Sequence, residues 1–279
     1  MRNVTASCLK HNLRLLVSTP RAWAVLILTL LFIQNQFDPI RMLLVDEGRA
    51  ISFFGLNLYL FNDATVTMMA GLALLLLLLE TPITDESQRY IAVRSGRGAW
   101  GRGQLIYVFV MVFVYLVIFS LFVLFVIWPW ADWSGGWSSA LDVLVNEGAY
   151  EYYDTMLDYD PWLMRVFTPL GGMGLTLILH YLAFLVVVLI QYCANISGLH
   201  RISFLIAAAP LIFDEVIGEF FGEYMIYFSP VTLSRLSMLD YGDEMGRPPI
   251  WYAFVVLIAL VCVLSAVCMR LSKRKEISL

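Results

Sequence analysis

Four acidic residues crowd a short apolar stretch whose composition otherwise suits a membrane span. They follow the run 202–213 and are Asp214, Glu215, Glu219 and Glu223. The last three recur every fourth residue, which places them on one face of a helix. Counted from Arg201, Asp214 lies about 20 Å along a helix that rises 1.5 Å per residue, which is still within hydrocarbon depth. Charges at that depth normally face a bundle interior or a water-filled cavity, so we predict that these acids line a substrate pathway.

Pro210 leaves a second interpretation of this stretch open. Proline disrupts a helix interior, so the span could end there, and residues 213–227 would then form a re-entrant or interfacial hairpin. In that arrangement the acids face outer water and have no transport role.

His180 is the other titratable group within an apolar run, and we add it to the predicted pathway. An imidazole could relay protons or bind a ligand, although a lone histidine in a membrane helix is more often hydrogen-bonded to a neighbouring helix. His11 and His200 are both predicted to be cytoplasmic, so no second histidine accompanies His180 within the membrane and no histidine-rich metal site is expected. We predict no catalytic residue, no metal and no cofactor.

The composition assigns these residues to an all-α integral membrane protein. Of 279 residues, 60% are hydrophobic and only 14% are charged, with a mean hydropathy of +0.77. A soluble domain is nearer half apolar and a quarter charged, which excludes a soluble enzyme and a nucleic-acid binder. The four cysteines are too few and too scattered for a disulfide framework.

Six transmembrane helices are predicted from apolar runs bounded by charge, proline or aromatic residues. They cover about 20–36, 64–80, 104–127, 172–192, 202–217 and 250–269 of a single transmembrane domain. Residues 1–18 have the pattern of an interfacial amphipathic helix. Most of the 18 Lys and Arg residues then fall on the side of the N-terminus, so the positive-inside rule makes both termini cytoplasmic.

The loop after the second predicted span contains a well-delimited helix. Thr81 and Pro82 have the types of an N-cap and a first-turn proline, and Gly96 supplies a stop. Tyr90 and Ile91 give this helix an apolar side that neither the bilayer nor a core obviously covers. It either packs beneath the bundle or docks a soluble partner.

The residues Arg94-Ser-Gly-Arg-x-x-Trp-x-x-Gly103, together with this layout, resemble the membrane subunits of type 2 ABC exporters in Gram-positive bacteria. The resemblance implies a dimeric permease in the plasma membrane, made with a second copy or a sister permease, and a separate ATPase subunit under each half. It also implies that Pro82 to Arg94 is a coupling helix, with Ser197 to Arg201 a lesser contact. The implied coupling residues are Pro82, Ile83, Asp85, Glu86, Tyr90, Ile91, Arg94 and Arg97.

The outer loop from Trp128 to Pro169 is rich in Trp, Tyr and acidic residues. Aromatic rings of this kind sit well at the headgroup level, which favours one or two interfacial helices capping the bundle. The alternative is an acidic vestibule for a cationic amphipathic molecule.

The chain lacks the parts of an energy-converting enzyme. A phosphate-binding loop requires GxxxxGK[ST] after a strand, and the Gly-rich stretch 96–103 contains no lysine. We therefore expect a non-catalytic permease subunit of an ATP-driven ABC exporter. The alternative is a small ion-gradient-driven transporter or channel that uses the acidic fifth span. An intramembrane hydrolase is disfavoured because no GxSG-like serine motif is present.

Overall fold

The computed structural model describes residues 2–83, 96–155, 157–220, 223–241 and 246–274, and they are mostly helical. The helices are α1 (Arg2–Ser18), α2 (Pro20–Glu47), α3 (Phe53–Asn62), α4 (Ala64–Leu77), α5 (Arg97–Ile127), α6 (Ser139–Asn146), α7 (Ala149–Tyr152), α8 (Pro161–Val166), α9 (Pro169–Ile196), α10 (Ser203–Phe220) and α11 (Ile250–Arg274). Short 3-10 helices cover Trp128–Trp130, Glu223–Phe228, Thr232–Ser234 and Leu236–Met238. The predicted all-α membrane class is confirmed.

Four helices in the described residues are long and apolar enough to cross a membrane: α2, α5 with its adjoining 3-10 turn, α9 and α11. The pair α3 and α4 adds a fifth candidate if the two are counted as one span, although they are bent by 84° at a short break. α10 carries three acidic residues in its 18 positions and is too polar to qualify. The described part of the chain thus contains four or five candidate spans where the sequence predicts six.

The helix starts agree with their predicted signals better than the helix ends do. α2 begins at Pro20 after Thr19, as expected, but continues beyond residue 36 to Glu47, with Pro39 inside it. Gln36 does not end the helix because it is buried in a gap lined by apolar residues of α2, α3 and α5. Gly48, with a φ of 63°, provides the left-handed cap.

Two ends of the bundle can be distinguished. The basic end comprises residues 10–21, 78–83, 97–104, 193–203 and 268–274. The Arg21 Nη1 atom lies 2.9 Å from Glu80 Oε1, so this carboxylate, three residues after the end of α4, is paired with an arginine. At the opposite, aromatic end (residues 128–168), two-residue strands Ile51–Ser52 and Ala131–Asp132 pair in parallel and join the ends of α2 and α5.

α4 and α10 pack against each other in opposite directions. Thr65 contacts Glu215 near the start of α4, whereas Gly71 meets Leu211 one to two turns later. A Cβ atom placed on Gly71 would lie only 2.4 Å from Leu211 Cδ2, so the two helices approach closely because position 71 has no side chain.

We expect Gly71→Val to loosen this contact. Leu211 is fully buried, so overpacking should destabilise the protein by about 1–3 kcal/mol. Gly174→Val on α9 is the matched control, because a Cβ there meets nothing within 4 Å. The temperature at which detergent-purified protein loses its monodisperse elution would be compared for both variants. Equal behaviour of the two variants would contradict the close contact.

Candidate functional site

The most unusual feature of the bundle is the break between α3 and α4 at Asn62 and Asp63. α4 has 14 residues, so the break lies about 21 Å along the helix axis from the basic end of α4. α3 itself is almost entirely buried. A helix end at that depth has no bulk water to satisfy its backbone groups, so the protein must satisfy them.

Side chains cap the carbonyl end of α3. Asn62 Nδ2 donates to Leu58 O at 2.7 Å, and Thr67 Oγ1 donates to Phe61 O at 3.0 Å. The side chain of Asp63 in turn accepts from Val66 N at 2.8 Å and caps the start of α4. The sharp bend is thus stabilised by side chains from both helices.

A buried ion pair completes the break. Arg235 Nη1 donates to Asn62 O at 3.4 Å, at a helix C-terminus where the dipole favours a positive charge. Its Nε atom lies 3.5 Å from Asp214 Oδ2, and both side chains are buried. Arg235 reaches this position because residues 229–239 are largely buried as 3-10 turns. Arg235 lies outside the six predicted spans, yet its side chain is buried within the bundle.

His180 lies beside the same break. Its Nδ1 is 3.0 Å from Thr176 O, and its Nε2 is 3.2 Å from Thr67 Oγ1 and 3.4 Å from Ser234 Oγ. A carbonyl can only accept, so Nδ1 carries a proton. Both hydroxyl groups beside Nε2 also lie close to carbonyl acceptors, with Thr67 Oγ1 3.0 Å from Phe61 O and Ser234 Oγ 2.6 Å from Val231 O. This agrees with the expectation that a lone histidine in a membrane helix is hydrogen-bonded to a neighbouring helix, here through Thr67 of α4.

The predicted acidic stripe is divided by the structure. α10 runs through Pro210 to Phe220, so the interpretation in which Pro210 breaks the helix is wrong. Asp214 is paired with Arg235, and Glu215 Oε1 accepts from Thr65 Oγ1 at 2.9 Å. Glu219 belongs to α10, whereas Glu223 begins a separate 3-10 turn, so the repeat does not continue along one helix. The side-chain surroundings of Glu219 and Glu223 fall outside the described part of the structure.

We call this set the midspan cluster; it comprises Asn62, Asp63, Thr65, Thr67, Thr176, His180, Asp214, Glu215, Ser234, Arg235 and Ser237. Several of its buried atoms make no hydrogen bond, namely Asp214 Oδ1 and Oδ2, Glu215 Oε2, Arg235 Nε and Ser237 Oγ, so the Asp214–Arg235 contact at 3.5 Å is an ion pair without a hydrogen bond. Buried polar atoms are normally satisfied by protein or by ordered water. The midspan cluster therefore has unused capacity to bind water or a polar group within the bundle.

The aromatic end closes over the midspan cluster. The Tyr59 ring packs at a tilt against Tyr159, with ring centroids 5.3 Å apart, and its hydroxyl donates to Asp160 O at 3.2 Å. Asp158 N donates to Asp63 Oδ2 at 3.2 Å. Burial raises the pKa of the Tyr159 phenol, so this ring stays neutral. The short helices α6, α7 and α8 occur within the predicted outer loop.

A second polar site lies at the basic end, where α4 gives way to residues 81–83. Asn195 Nδ2 donates to Thr81 O at 2.7 Å and to Leu79 O at 3.0 Å. Gln104 bonds both backbone groups of Ile83, at 3.3 Å to N and 3.2 Å to O. Asn12 Nδ2 of α1 donates to Gln104 Oε1 at 3.0 Å. We call Asn12, Leu79–Ile83, Gln104 and Asn195 the basic-end joint.

The predicted coupling residues are only partly placed by the structure. Pro82 and Ile83 belong to the basic-end joint, and Arg97 begins α5. Asp85, Glu86, Tyr90, Ile91 and Arg94 lie outside the described residues. The sequence analysis did not identify Asn12, Gln104 or Asn195. The available signal was their polar amide type at the margins of apolar runs.

Comparisons with protein-family models, with curated proteins and with solved structures gave no match. In the described residues no group of three His, Cys, Asp or Glu side chains is placed to hold a metal ion. The arguments for function therefore come from the midspan cluster, from the basic-end joint and from the sequence.

Proposed function

We propose that the chain is the permease subunit of an ATP-driven ABC exporter, coupled to a separate ATPase subunit. In this proposal it crosses a bacterial plasma membrane six times with both termini in the cytoplasm, and pairs with a second copy or a sister permease. The basic end then faces the ATPase, and the midspan cluster lies on or beside the substrate pathway.

The basic-end joint is the observation that carries this proposal. Residues 81–83 lead directly into the segment that resembles a coupling helix, and they are bonded by Gln104 of α5 and Asn195 of α9. Arg21 of α2 is paired with Glu80 immediately before them. A displacement of this segment would thus move α2, α4, α5 and α9 together. Coupling between an ATPase and a permease requires such a concerted movement.

The sequence also favours an external energy source. The chain contains three lysines, Lys10, Lys273 and Lys275, and none belongs to a GxxxxGK[ST] motif. A phosphoryl-transfer site needs such a lysine and a magnesium site. A separate ATPase supplies both.

The midspan cluster favours a second candidate, a transporter or channel driven by an ion gradient. Ionisable side chains at bilayer depth are expensive and mark ion or proton pathways in many membrane proteins. Asp214 and Glu215 have unfilled hydrogen-bonding capacity there, next to His180 and Arg235. In this alternative, transport depends on an ion gradient and no ATPase is bound.

Charged substitutions in the predicted coupling helix test the exporter proposal. Tyr90→Asp with Ile91→Asp should abolish co-purification of the ATPase, because two carboxylates would have to be buried in the contact. Gln88→Asp with Ala92→Asp adds the same charge on the other side of the helix and should leave the complex intact. Membrane insertion is checked by yield. An undiminished complex with the first pair would refute the coupling role, and transport without any ATPase would favour the gradient-driven alternative.

A further inference from the structure

Two cysteines that are far apart in the sequence meet between α9 and α11. The Sγ atoms of Cys193 and Cys268 are 3.1 Å apart, and both residues are free thiols. Cys8 is buried and Cys262 is exposed. The sequence analysis treats the four cysteines as scattered, and the fold brings two of them together.

Contacts on both sides hold the two thiols in place. Tyr192 and Ser272 share a hydrogen bond at 3.0 Å between their hydroxyl oxygens. Ser272 Oγ also donates to Cys268 O at 2.8 Å, and Cys268 Sγ lies 3.7 Å from Leu189 O. The facing stripes of α9 and α11 are therefore packed around the pair, and neither thiol depends on a mobile loop for its position.

We propose that Cys193 and Cys268 form an oxidisable dithiol that closes to a disulfide on exposure to hydroperoxides. The S–S bond is about 2.05 Å long, so the sulfur atoms must approach by about 1 Å, which is within the reach of side-chain rotation. Cys193 is partly exposed whereas Cys268 is fully buried. Cys193 is thus the thiol that an oxidant reaches first, and Cys268 is the resolving partner.

The chemistry balances with a hydroperoxide as the oxidant. The Cys193 sulfur attacks the terminal peroxide oxygen, the O–O bond breaks, and the thiol proton leaves with the product alcohol or water. The resulting sulfenic acid is attacked by the Cys268 sulfur, which forms the S–S bond. The sulfenic oxygen departs as water with the Cys268 proton, and the two electrons lost by the thiols reduce the peroxide. A small thiol reductant reverses the reaction by exchange.

The disulfide would fix α9 to α11 near the basic end. Asn195, which bonds Thr81 O and Leu79 O, lies two residues after Cys193 on the same helix. This expectation rests on the proposed function: the disulfide restrains the basic-end joint and halts ATP-driven transport until the disulfide is reduced. The dithiol would then let oxidative conditions switch off the exporter.

The modification is tested without any transport assay. The full-length protein carrying Cys8→Ser and Cys262→Ser is treated with hydrogen peroxide in membranes, denatured, and labelled with a maleimide–polyethylene glycol reagent. Two labels should attach before oxidation, none after it, and two again after dithiothreitol. Cys193→Ser and Cys268→Ser should each retain one label after brief, mild oxidation. Mass spectrometry of oxidised wild-type protein should identify the linked peptides, which covers the case of a variant that fails to fold.

Persistence of both labels after oxidation, with no linked peptide in the wild-type protein, would overturn the dithiol proposal. The activity measurement is separate: peroxide should abolish ATP-driven transport by reconstituted wild-type protein with its ATPase, reversibly, and should spare Cys193→Ser. If the disulfide forms while transport stays unchanged, the switch is refuted. If reduced protein shows no ATP-driven transport, the proposed function fails, while the labelling result still decides the dithiol.

Discussion

Arg235→Ala should be among the most destabilising single substitutions in this chain. It would leave Asp214 buried without its ionic partner and Asn62 O without its donor. Breaking a buried pair in this way typically costs about 3–5 kcal/mol, because one charge remains uncompensated. We therefore expect a marked loss of folded protein, measured by denaturant titration of tryptophan fluorescence in detergent.

A double substitution distinguishes the unpaired charge from the loss of the Arg235 side chain as such. Asp214→Asn combined with Arg235→Met removes both charges while filling most of the space, and should recover much of the lost stability. Arg41→Ala is the surface control, since Arg41 pairs with Asp38 at 3.4 Å with both side chains about half exposed. That pair should contribute less than about 1 kcal/mol. Equal stability of Arg235→Ala and Arg41→Ala would show that the buried pair contributes nothing unusual.

Most of the long helices could be predicted because their signal is local. α5, α9 and α11 contain runs of about twenty apolar residues, and the length of such a run reports directly on the thickness of a bilayer. The start of α2 at Pro20 is likewise local, since a first-turn proline acts within one turn, whereas α9 begins at Pro169, three residues before its predicted start.

α3 could not be found in this way. Its ten residues are too few to span a membrane and are interrupted by Asn57 and Asn62. These amides suggest a loop when only the sequence is considered. In the structure Asn57 Oδ1 accepts from Ser120 Oγ at 3.2 Å, although its Nδ2 has no hydrogen-bond partner, and Asn62 caps α3. The fold of α3 depends on partners more than fifty residues away.

Only part of the midspan cluster could be predicted, because only part of it has a local signal in the sequence. The depth of Asp214 and His180 follows from counting along a helix. The position of Arg235 does not, because residues 229–239 have no span-like periodicity and enter the bundle through tertiary packing alone. When Arg235 is not considered, Asp214 is interpreted as an unpaired acid that requires a water-filled cavity. With Arg235 it is also a structural element that makes the broken helix possible.

This dual character shows why the basic-end joint is the better place to test coupling. On the proposed function, substitutions in the midspan cluster alter both stability and the substrate pathway. The basic-end joint lies away from that cluster, and its one ionisable side chain, Glu80, is paired with Arg21. Its amides connect helices to residues 81–83 through defined hydrogen bonds. A change there can weaken transmission while leaving the interior unchanged.

Asn195→Leu should uncouple the transporter, on the proposed function. The substitution removes both donors to Thr81 O and Leu79 O, so α9 loses its hold on the segment that enters the predicted coupling helix. A coupling loss of about 1.4 kcal/mol, within the range for residues between two sites, corresponds to about a tenfold loss of substrate moved per ATP hydrolysed. Binding of the ATPase should persist, since residues 84–94 are unaltered. Transport and ATP hydrolysis would be measured together in proteoliposomes.

Gln191→Leu, one turn earlier on α9, is the control that separates coupling from helix packing. Gln191 also bonds α4, but it donates to Leu75 O at 3.2 Å, one turn before residue 79. Its Oε1 atom has no hydrogen-bond partner, so its replacement should cost little stability and leave the ratio of transport to hydrolysis near that of the wild-type protein. If both variants lower this ratio equally, the effect belongs to the α4–α9 contact in general. If Asn195→Leu leaves the ratio unchanged, Asn195 does not transmit coupling through the basic-end joint.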